Sequence, residues 1–322
     1  MTLEKTTVID HDHETPSQRA ERVGRALAAL RAVRLPEPRQ TALLQEIETL
    51  RVMSLHRQPG EGTMALRVIQ PSGAGKSEAA KQYKAFVEAQ PGRDPGKRPV
   101  VHVTLDTTGT PRSMSESILT AYGDEYASDG KESLLLKRVR KAIEMEGTEL
   151  LIIDELNHCS EKVMGKDVSN TLKNMLTEGW VPIVFLGTDK AKRLFRENRE
   201  LSNRCRPQLS LQPLAHRIDT DLVLWEGFLG GMDAEIVRLK LLPEASGLAE
   251  PELAKALCEA CGGLIGEFLL VLWDAFAVVV ARRGRYIEVA DLHHAVDVRY
   301  VLEGHLDANP LDPLLHGGAT AA

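Results

Sequence analysis

The stretch that most restricts this chain is MALRVIQPSGAGKSEAAKQY, residues 64–83. The apolar run Met64–Ile69 has the length of one buried strand. It passes through a glycine-rich turn into good helix formers, Glu78, Ala79, Ala80 and Lys81. A chain that leaves a buried strand this sharply and enters a helix aims successive backbone N–H groups, and the positive end of the helix, at one point beyond the strand. The spacing is that of a phosphate-binding loop, G-x-x-x-x-G-K-[ST], with Gly75, Lys76 and Ser77 in place and Gln70 where the first glycine is expected. Gly73 and Gly75 supply the conformational freedom. Lys76 is expected to neutralise the β and γ phosphates, and Ser77 to offer its hydroxyl to Mg²⁺. Pro71, Ser72, Ala74 and Glu78 complete the expected nucleotide-binding stretch. Gln70 stands at the strand exit, ahead of the amides that would hold phosphate. A side chain there costs some turn geometry but removes no donor, and it is expected to point away from the phosphates.

Strand and helix patterns alternate behind this loop. Arg98–Asp106, Thr148–Glu155 and Val181–Thr188 read as strands, and Ser77–Ala89, 131–145 and 169–179 as helices. Such alternation builds a parallel sheet covered on both faces, the α/β class, expected here over 61–214. Residues 1–18 are polar and read as a flexible tail. A helical segment follows over 19–60, with Val23, Ala26, Leu27, Leu30 and Val33 on one face, a break at Pro36 and Pro38, then Leu43, Leu44, Ile47, Leu50 and Met53. After about Pro213 the strand signals mostly stop. Ile218–Phe228, Glu250–Ala260, Ile265–Val280 and Val289–Tyr300 read as helices of a second domain, 215–305, and 306–322 as a disordered tail.

Residues further along the chain give the phosphate loop its meaning. LLIIDELNH is an apolar strand ending in Asp154 and Glu155. Carboxylates at the C-terminal end of a buried parallel strand lie in the crevice where ligands bind. Asp154 would hold Mg²⁺ through water, and Glu155 would polarise the attacking water. The next strand ends in the polar Thr188, placed to sense a γ-phosphate. No N-K-x-D guanine signature is present, since TDK at 188–190 has the wrong order, so ATP is preferred over GTP. Arg204 and Arg206 then stand just before a return to apolar residues. An arginine here can reach the nucleotide of a neighbouring subunit and stabilise transition-state charge; a solvated loop is the plainer reading of two arginines taken alone.

This order resembles the AAA+ ATPases, and more closely the TniB/TnsC family of transposon-encoded, ATP-dependent target-selection regulators. The resemblance covers about residues 18 to 305 and rests on PSGAGKS (Pro71–Ser77), LLIIDELNH (Leu150–His158), GTDKA (Gly187–Ala191), LSNRCRP (Leu201–Pro207) and GGLIGEFLLVLWDA (Gly262–Ala275). It implies an AAA+ P-loop fold with an N-terminal helical segment and a C-terminal helical lid. It implies Lys76 and Ser77 as phosphate and Mg²⁺ ligands, Asp154 and Glu155 as metal-site and catalytic acids, Thr188 as sensor and Arg204 as the trans-acting arginine. It also implies a homo-oligomer, ring or filament, assembled with ATP on double-stranded DNA. That polymer would connect a target-selection factor to a DDE-type transposase and disassemble on hydrolysis. The chain departs from the family pattern at Gln70, at Cys205 where phenylalanine is common, and at Gly266-Glu267-Phe268, which lacks the nucleotide-contacting arginine of many AAA+ lids. Other roles open to such a chain are helicase loading, replication initiation, and a nucleotide-dependent scaffold with negligible hydrolysis.

Bulk properties narrow the setting. The net charge of −6 and a pI near 6.0 mean that any DNA contact must use a local basic stripe or come from assembly. The aromatic content of 4% argues against a surface built to stack single-stranded bases. Four cysteines and a polar start without an apolar signal segment lead to the expectation of a reducing, cytoplasmic compartment and no membrane. Cys258 and Cys261 form one C-x-x-C without a partner pair and read as core. His11–Glu14 reads as acidic tail and Lys137–Lys141 as a solvated helix face. The basic N-terminal helix and the polar stretch Thr107–Ser115 read as equally plausible DNA or partner surfaces.

Overall fold

The computed structural model describes residues 14–35, 37–159, 164–207 and 211–316. The described chain divides into two compact units, residues 36–213 and residues 1–35 with 214–322. His11–His13 of the acidic tail and the last residues of the expected C-terminal tail lie outside the described residues.

The 36–213 unit is built on a four-stranded parallel sheet of β1 (Ala65–Ile69), β2 (Val100–Thr104), β3 (Leu150–Asp154) and β4 (Ile183–Gly187). The spatial order is β1-β4-β3-β2, with Ala65 opposite Ile183, Ile152 opposite Val184 and Thr104 opposite Asp154. All strands run one way, so each return passes over a face of the sheet and buries it. One face carries α2 (Pro38–Leu55) and α3 (Lys76–Glu88). Their Leu43, Ile47, Leu50, Ala79, Tyr83 and Val87 pack on Leu66, Val68, Val100, Leu150, Ile152 and Val184. The other face carries α4 (Pro111–Ala121), α5 (Glu132–Glu146), α6 (Met164–Thr177), α7 (Lys192–Glu197) and α8 (Arg199–Asn203), packed on Ala65, Ile69, Val101, Val103, Leu151, Ile153 and Phe185. Alternate residues of each strand thus serve opposite cores, which is why the strands read as nearly continuous apolar runs. Arg51 of α2 is 4% exposed and is paired with Glu48 and Glu149, while its Nε lies 3.0 Å from the Tyr83 hydroxyl. That network ties α2 and α3 to the start of β3.

The polar stretch Thr107–Ser115 is not all surface. Thr110 caps α4 in a capping box with Ser113, and Pro111 takes the first helical position. Met114 and Ser115 are buried, the Ser115 hydroxyl donating 2.9 Å to the Pro111 carbonyl. Within Lys137–Lys141, by contrast, Lys137, Arg140 and Lys141 are exposed around a buried Val139.

The second unit joins α1 (Pro16–Arg31) to α9 (Asp219–Arg238), α10 (Pro251–Ala260), α11 (Ile265–Ala281), α12 (Val289–Val296) and α13 (Asp312–His316). The expected helical segment 19–60 therefore divides, α1 packing on α11 and α2 on β1 and α3. α1 starts at Pro16, inside the expected tail, because Thr15 and Gln18 close a capping box. The core is aromatic at its centre. The Trp225 and Phe268 rings meet edge-on at 5.6 Å, and Trp225 Nε1 donates 2.9 Å to the Ala254 carbonyl. Buried Asp233 accepts from the N–H groups of Ser246 and Gly247 at 2.8 Å each, closing the turn before α10. Cys258 and Cys261 are buried here, and burial raises both thiols, Cys258 to about 11. Residues 306–316 are ordered rather than tail-like: Leu311 is fully buried, and Asn309 Nδ2 donates 3.0 Å to the His293 carbonyl. Among the described residues no single helix is long and apolar enough to cross a membrane.

Gly263 has φ +68°, and a Cβ there would run into the backbone carbonyl of Leu214, which itself accepts no flexible adjustment because Leu214 N–H donates 2.9 Å to the Gly263 carbonyl. Gly263→Ala should therefore lower the stability of this unit by about 1–3 kcal/mol, read as a fall in thermal midpoint by circular dichroism. An unchanged midpoint would contradict this packing.

Candidate functional site

The register of the sheet decides what meets at its C-terminal end. β1 and β3 flank β4, so the loop after β1 and the acids closing β3 are separated by one strand, roughly 10 Å between outer strands. Side chains alternate along β3. Ile152 faces α3, so Asp154 faces α3 as well, where Ser77 occupies the first turn. The Ser77 hydroxyl comes close enough to the Asp154 carboxylate to help hold its pKa down.

The loop itself has the conformation its sequence calls for. Gly73 and Gly75 both have φ +77°, in the left-handed region, whereas Gln70 does not. Gln70 N–H donates 3.0 Å to the Gly187 carbonyl, so Gln70 is one more rung of the β1–β4 ladder and needs no glycine freedom. Its side chain is wholly buried. Pro71, Ser72 and Ala74 form the turn, and Glu78 falls in the first turn of α3. Lys76 is 8% exposed, and its ammonium donates 2.9 Å to the Gln70 carbonyl and 2.7 Å to the Pro71 carbonyl. Burial lowers the Lys76 pKa, opposed by the nearby charges of Asp154 and Glu155.

Asp154 is 4% exposed. Burial pushes its pKa up, but hydrogen bonds from His102, Ser77 and the Glu155 N–H outweigh burial and hold the carboxyl below its ordinary value. His102 Nε2 lies 3.2 Å from Asp154 Oδ2, and Glu155 N–H donates 2.8 Å to Oδ1. Glu155 has φ +58°, unusual for a non-glycine residue, and turns the chain directly at the strand end. Its side chain is 44% exposed, so the two neighbouring acids differ: Asp154 is buried and bonded, and Glu155 is open to water. Asn157 Nδ2 donates 3.1 Å to Glu155 Oε2, while Asn157 Oδ1 lies 3.4 Å from the Thr188 N–H. Asn157 thus links the acid at the end of β3 to the polar residue at the end of β4.

Arg204 and Arg206 sit elsewhere. Ala65 N–H donates 2.8 Å to the Arg204 carbonyl and Arg206 N–H donates 2.7 Å to the Ala65 carbonyl, which sets residues 204–206 beside the first residue of β1. The phosphate loop is at the other end of that strand, about 13 Å away at 3.3 Å per residue. Arg206 pairs with Glu46 at 2.8 Å, whereas Arg204 has no carboxylate partner among the described residues and lies against Gly62.

Lys76, Ser77, Asp154, Glu155 and Thr188 are thus gathered at one end of the sheet, and Arg204 is not. Three residues at this end escaped the sequence reading. His102 interrupts the apolar run VVHV of β2, a signal that was legible. Asn157 follows the acids in DELNH. Gln40, whose Nε2 fills the space a Cβ on Gly75 would need, comes from α2 and carries no local signal. The residues fit Mg²⁺ and a nucleotide. A hydroxyl and a carboxylate converge without a full protein cage, as suits a cation that keeps waters and phosphate ligands, and the described residues hold no cluster of three or more protein metal ligands.

No curated protein matches this sequence. Among solved structures, the ORC2 protein of Aeropyrum pernix, in ADPNP–ADP complexes, superposes with a TM-score of 0.58 at 15% identity, covering 79% of this chain and 67% of that one. The ORC1 protein of Aeropyrum pernix in complex with DNA gives 0.57 at 15% identity, with 84% and 68% covered. Cdc6p from Pyrobaculum aerophilum gives 0.58 at 11% identity, with 83% and 69% covered. At these identities the likeness is one of fold, the AAA+ architecture. Residues 27–212, more than half of the chain, match the family model of the bacterial TniB protein, and the chain belongs to that family.

Proposed function

We propose that this protein is an ATP-dependent, DNA-binding oligomer that regulates transposition by linking target selection to a transposase. One observation carries the nucleotide part of this reading: the convergence of Ser77, at the phosphate loop, and Asp154, at the end of the acidic strand, across the end of β4. Membership of the TniB family supports the transposition setting. The nucleotide-bound ORC2 and DNA-bound ORC1 fold neighbours agree with it.

In this reading the loop amides and Lys76 hold the phosphate chain of ATP. Lys76 exchanges the carbonyls of Gln70 and Pro71 for phosphate oxygens and so regains an anionic partner. Mg²⁺, when bound, neutralises charge on the β and γ phosphates. Ser77 and Asp154 hold it, Asp154 remaining ionised because His102 and the Glu155 N–H stabilise its charged form. Glu155, solvent-accessible and oriented by Asn157, accepts a proton from the attacking water. Thr188 contacts the γ-phosphate. Arg204, out of reach of its own loop and without a carboxylate partner among the described residues, serves the site of a neighbouring copy. Hydrolysis then releases the assembly from DNA.

Glu155→Gln should bind ATP but lose about 10²–10⁴-fold in hydrolysis rate, measured as phosphate release under saturating ATP; hydrolysis at the parent rate would sink the assignment. Arg204→Ala should lose about 10³-fold or more, whereas Arg206→Ala should keep hydrolysis and lose only the Glu46 pair. Mixing Glu155→Gln with Arg204→Ala should restore part of the activity, because some interfaces then combine an intact Glu155 with an intact Arg204. A mixture no more active than its components would rule out action in trans. Full-length protein with duplex DNA and a non-hydrolysable ATP analogue should form DNA-bound oligomers by electron microscopy; bare DNA would overturn the DNA reading.

A further inference from the structure

A cavity of about 500 Å³ opens beside β1, lined among the described residues by Arg67, Lys192, Phe195, Arg196, Arg199 and Ser202. It is distinct from the phosphate loop. Arg67 alternates with Leu66 and Val68 and so faces the α4–α8 side of the sheet, whereas Ser77 and Asp154 meet on the α3 side. Lys192 and Arg196 are four residues apart on α7 and share a helical face, and Arg199 opens α8.

The charges around this cavity are not matched. Lys192 pairs with Asp189 at 2.9 Å. The other acids of this segment are engaged with cations that do not line the cavity, Glu197 with Arg193 at 2.6 Å and Glu200 with Lys173 at 3.1 Å. Arg67, Arg196 and Arg199 have no carboxylate partner among the described residues. Arg67 is the most constrained of them. Its guanidinium lies over the Phe195 ring at 5.0 Å, its Nη1 lies 3.4 Å from Ser202 Oγ, and its Nε is buried without a hydrogen-bond partner among the described residues. A partly buried cation without a counter-charge is costly unless an anion completes it. Guanidinium forks match phosphate oxygens in pairs. A single carboxylate would neutralise one of the three groups, whereas linked phosphates can meet all of them.

We propose that this cavity is a second phosphate-binding site, with Arg67 as its floor and Arg196 and Arg199 at its mouth. Its ligand is either the phosphate chain of a nucleotide or consecutive phosphodiesters of a DNA backbone, and the two sources differ in the test. Inorganic triphosphate, ADP and a short DNA duplex are titrated calorimetrically into full-length Lys76→Ala, which removes the phosphate-loop ammonium. At least one probe should bind. That binding should weaken about tenfold or more in Lys76→Ala carrying Arg196→Glu and Arg199→Glu, and likewise with Arg67→Gln. It should persist with Arg193→Glu, a charge reversal of similar size outside the cavity. Triphosphate and ADP without duplex identify a nucleotide site; duplex without ADP identifies a backbone site. Binding of none of the three probes, or binding indifferent to the Arg196 and Arg199 reversal, overturns the proposal. Thermal melts verify folding, and if Arg67→Gln unfolds the chain, the exposed Arg196 and Arg199 positions still decide.

Discussion

The meeting of Ser77 and Asp154 is the constraint on which the rest of the site depends. It joins residues far apart in sequence, and it exists only because β4 separates β1 from β3 and because Asp154 has the same side-chain parity as Ile152. A one-residue slip of β3 would turn Asp154 towards the α4–α8 side and present Glu155 or Ile153 to Ser77 instead. The register is held by burial on both faces, since Leu150 and Ile152 serve one core and Leu151 and Ile153 the other. Core packing and site geometry are therefore one constraint.

The two acids closing β3 differ in environment. Asp154 is buried, yet donors surround it and keep it charged. Glu155 sits one residue later in a left-handed conformation that carries its carboxylate into water. Adjacent identical chemistries thus acquire different properties, one carboxylate buried and held charged, the other open to water. Lys76 completes the balance. Buried against loop carbonyls with a lowered pKa, it is a cation short of anionic partners, a natural acceptor for phosphate.

Much of this was legible in the residues. The glycine-rich turn, the strand that ends in Asp154 and Glu155, and the polar Thr188 are local patterns, and local patterns survive translation into structure because each depends on a few neighbouring dihedrals. Gln70 shows the limit of motif reading. Its departure from glycine leaves the loop conformation intact because its backbone continues the ladder to Gly187, which no spacing rule states. The polar stretch before α4 shows the opposite limit: its composition suggested surface, but a capping box and a back-bonded Ser115 made it helix and core.

The sequence by itself determined the alternation of strands and helices, the phosphate loop, the acids and the family resemblance, since these follow from hydrophobic period and turn chemistry along the chain. Only the tertiary structure decided which distant groups meet. It assigned α1 to the C-terminal helices and α2 to the sheet, brought His102, Asn157 and Gln40 to the site, and paired Arg206 with Glu46 while leaving Arg204 without a carboxylate among the described residues. It also left three guanidinium groups around one cavity without a carboxylate partner among the described residues. The physical reason is common to all of these. Strand order, register and side-chain parity are properties of pairing between segments remote in sequence, and periodicity within a segment carries no record of its partner.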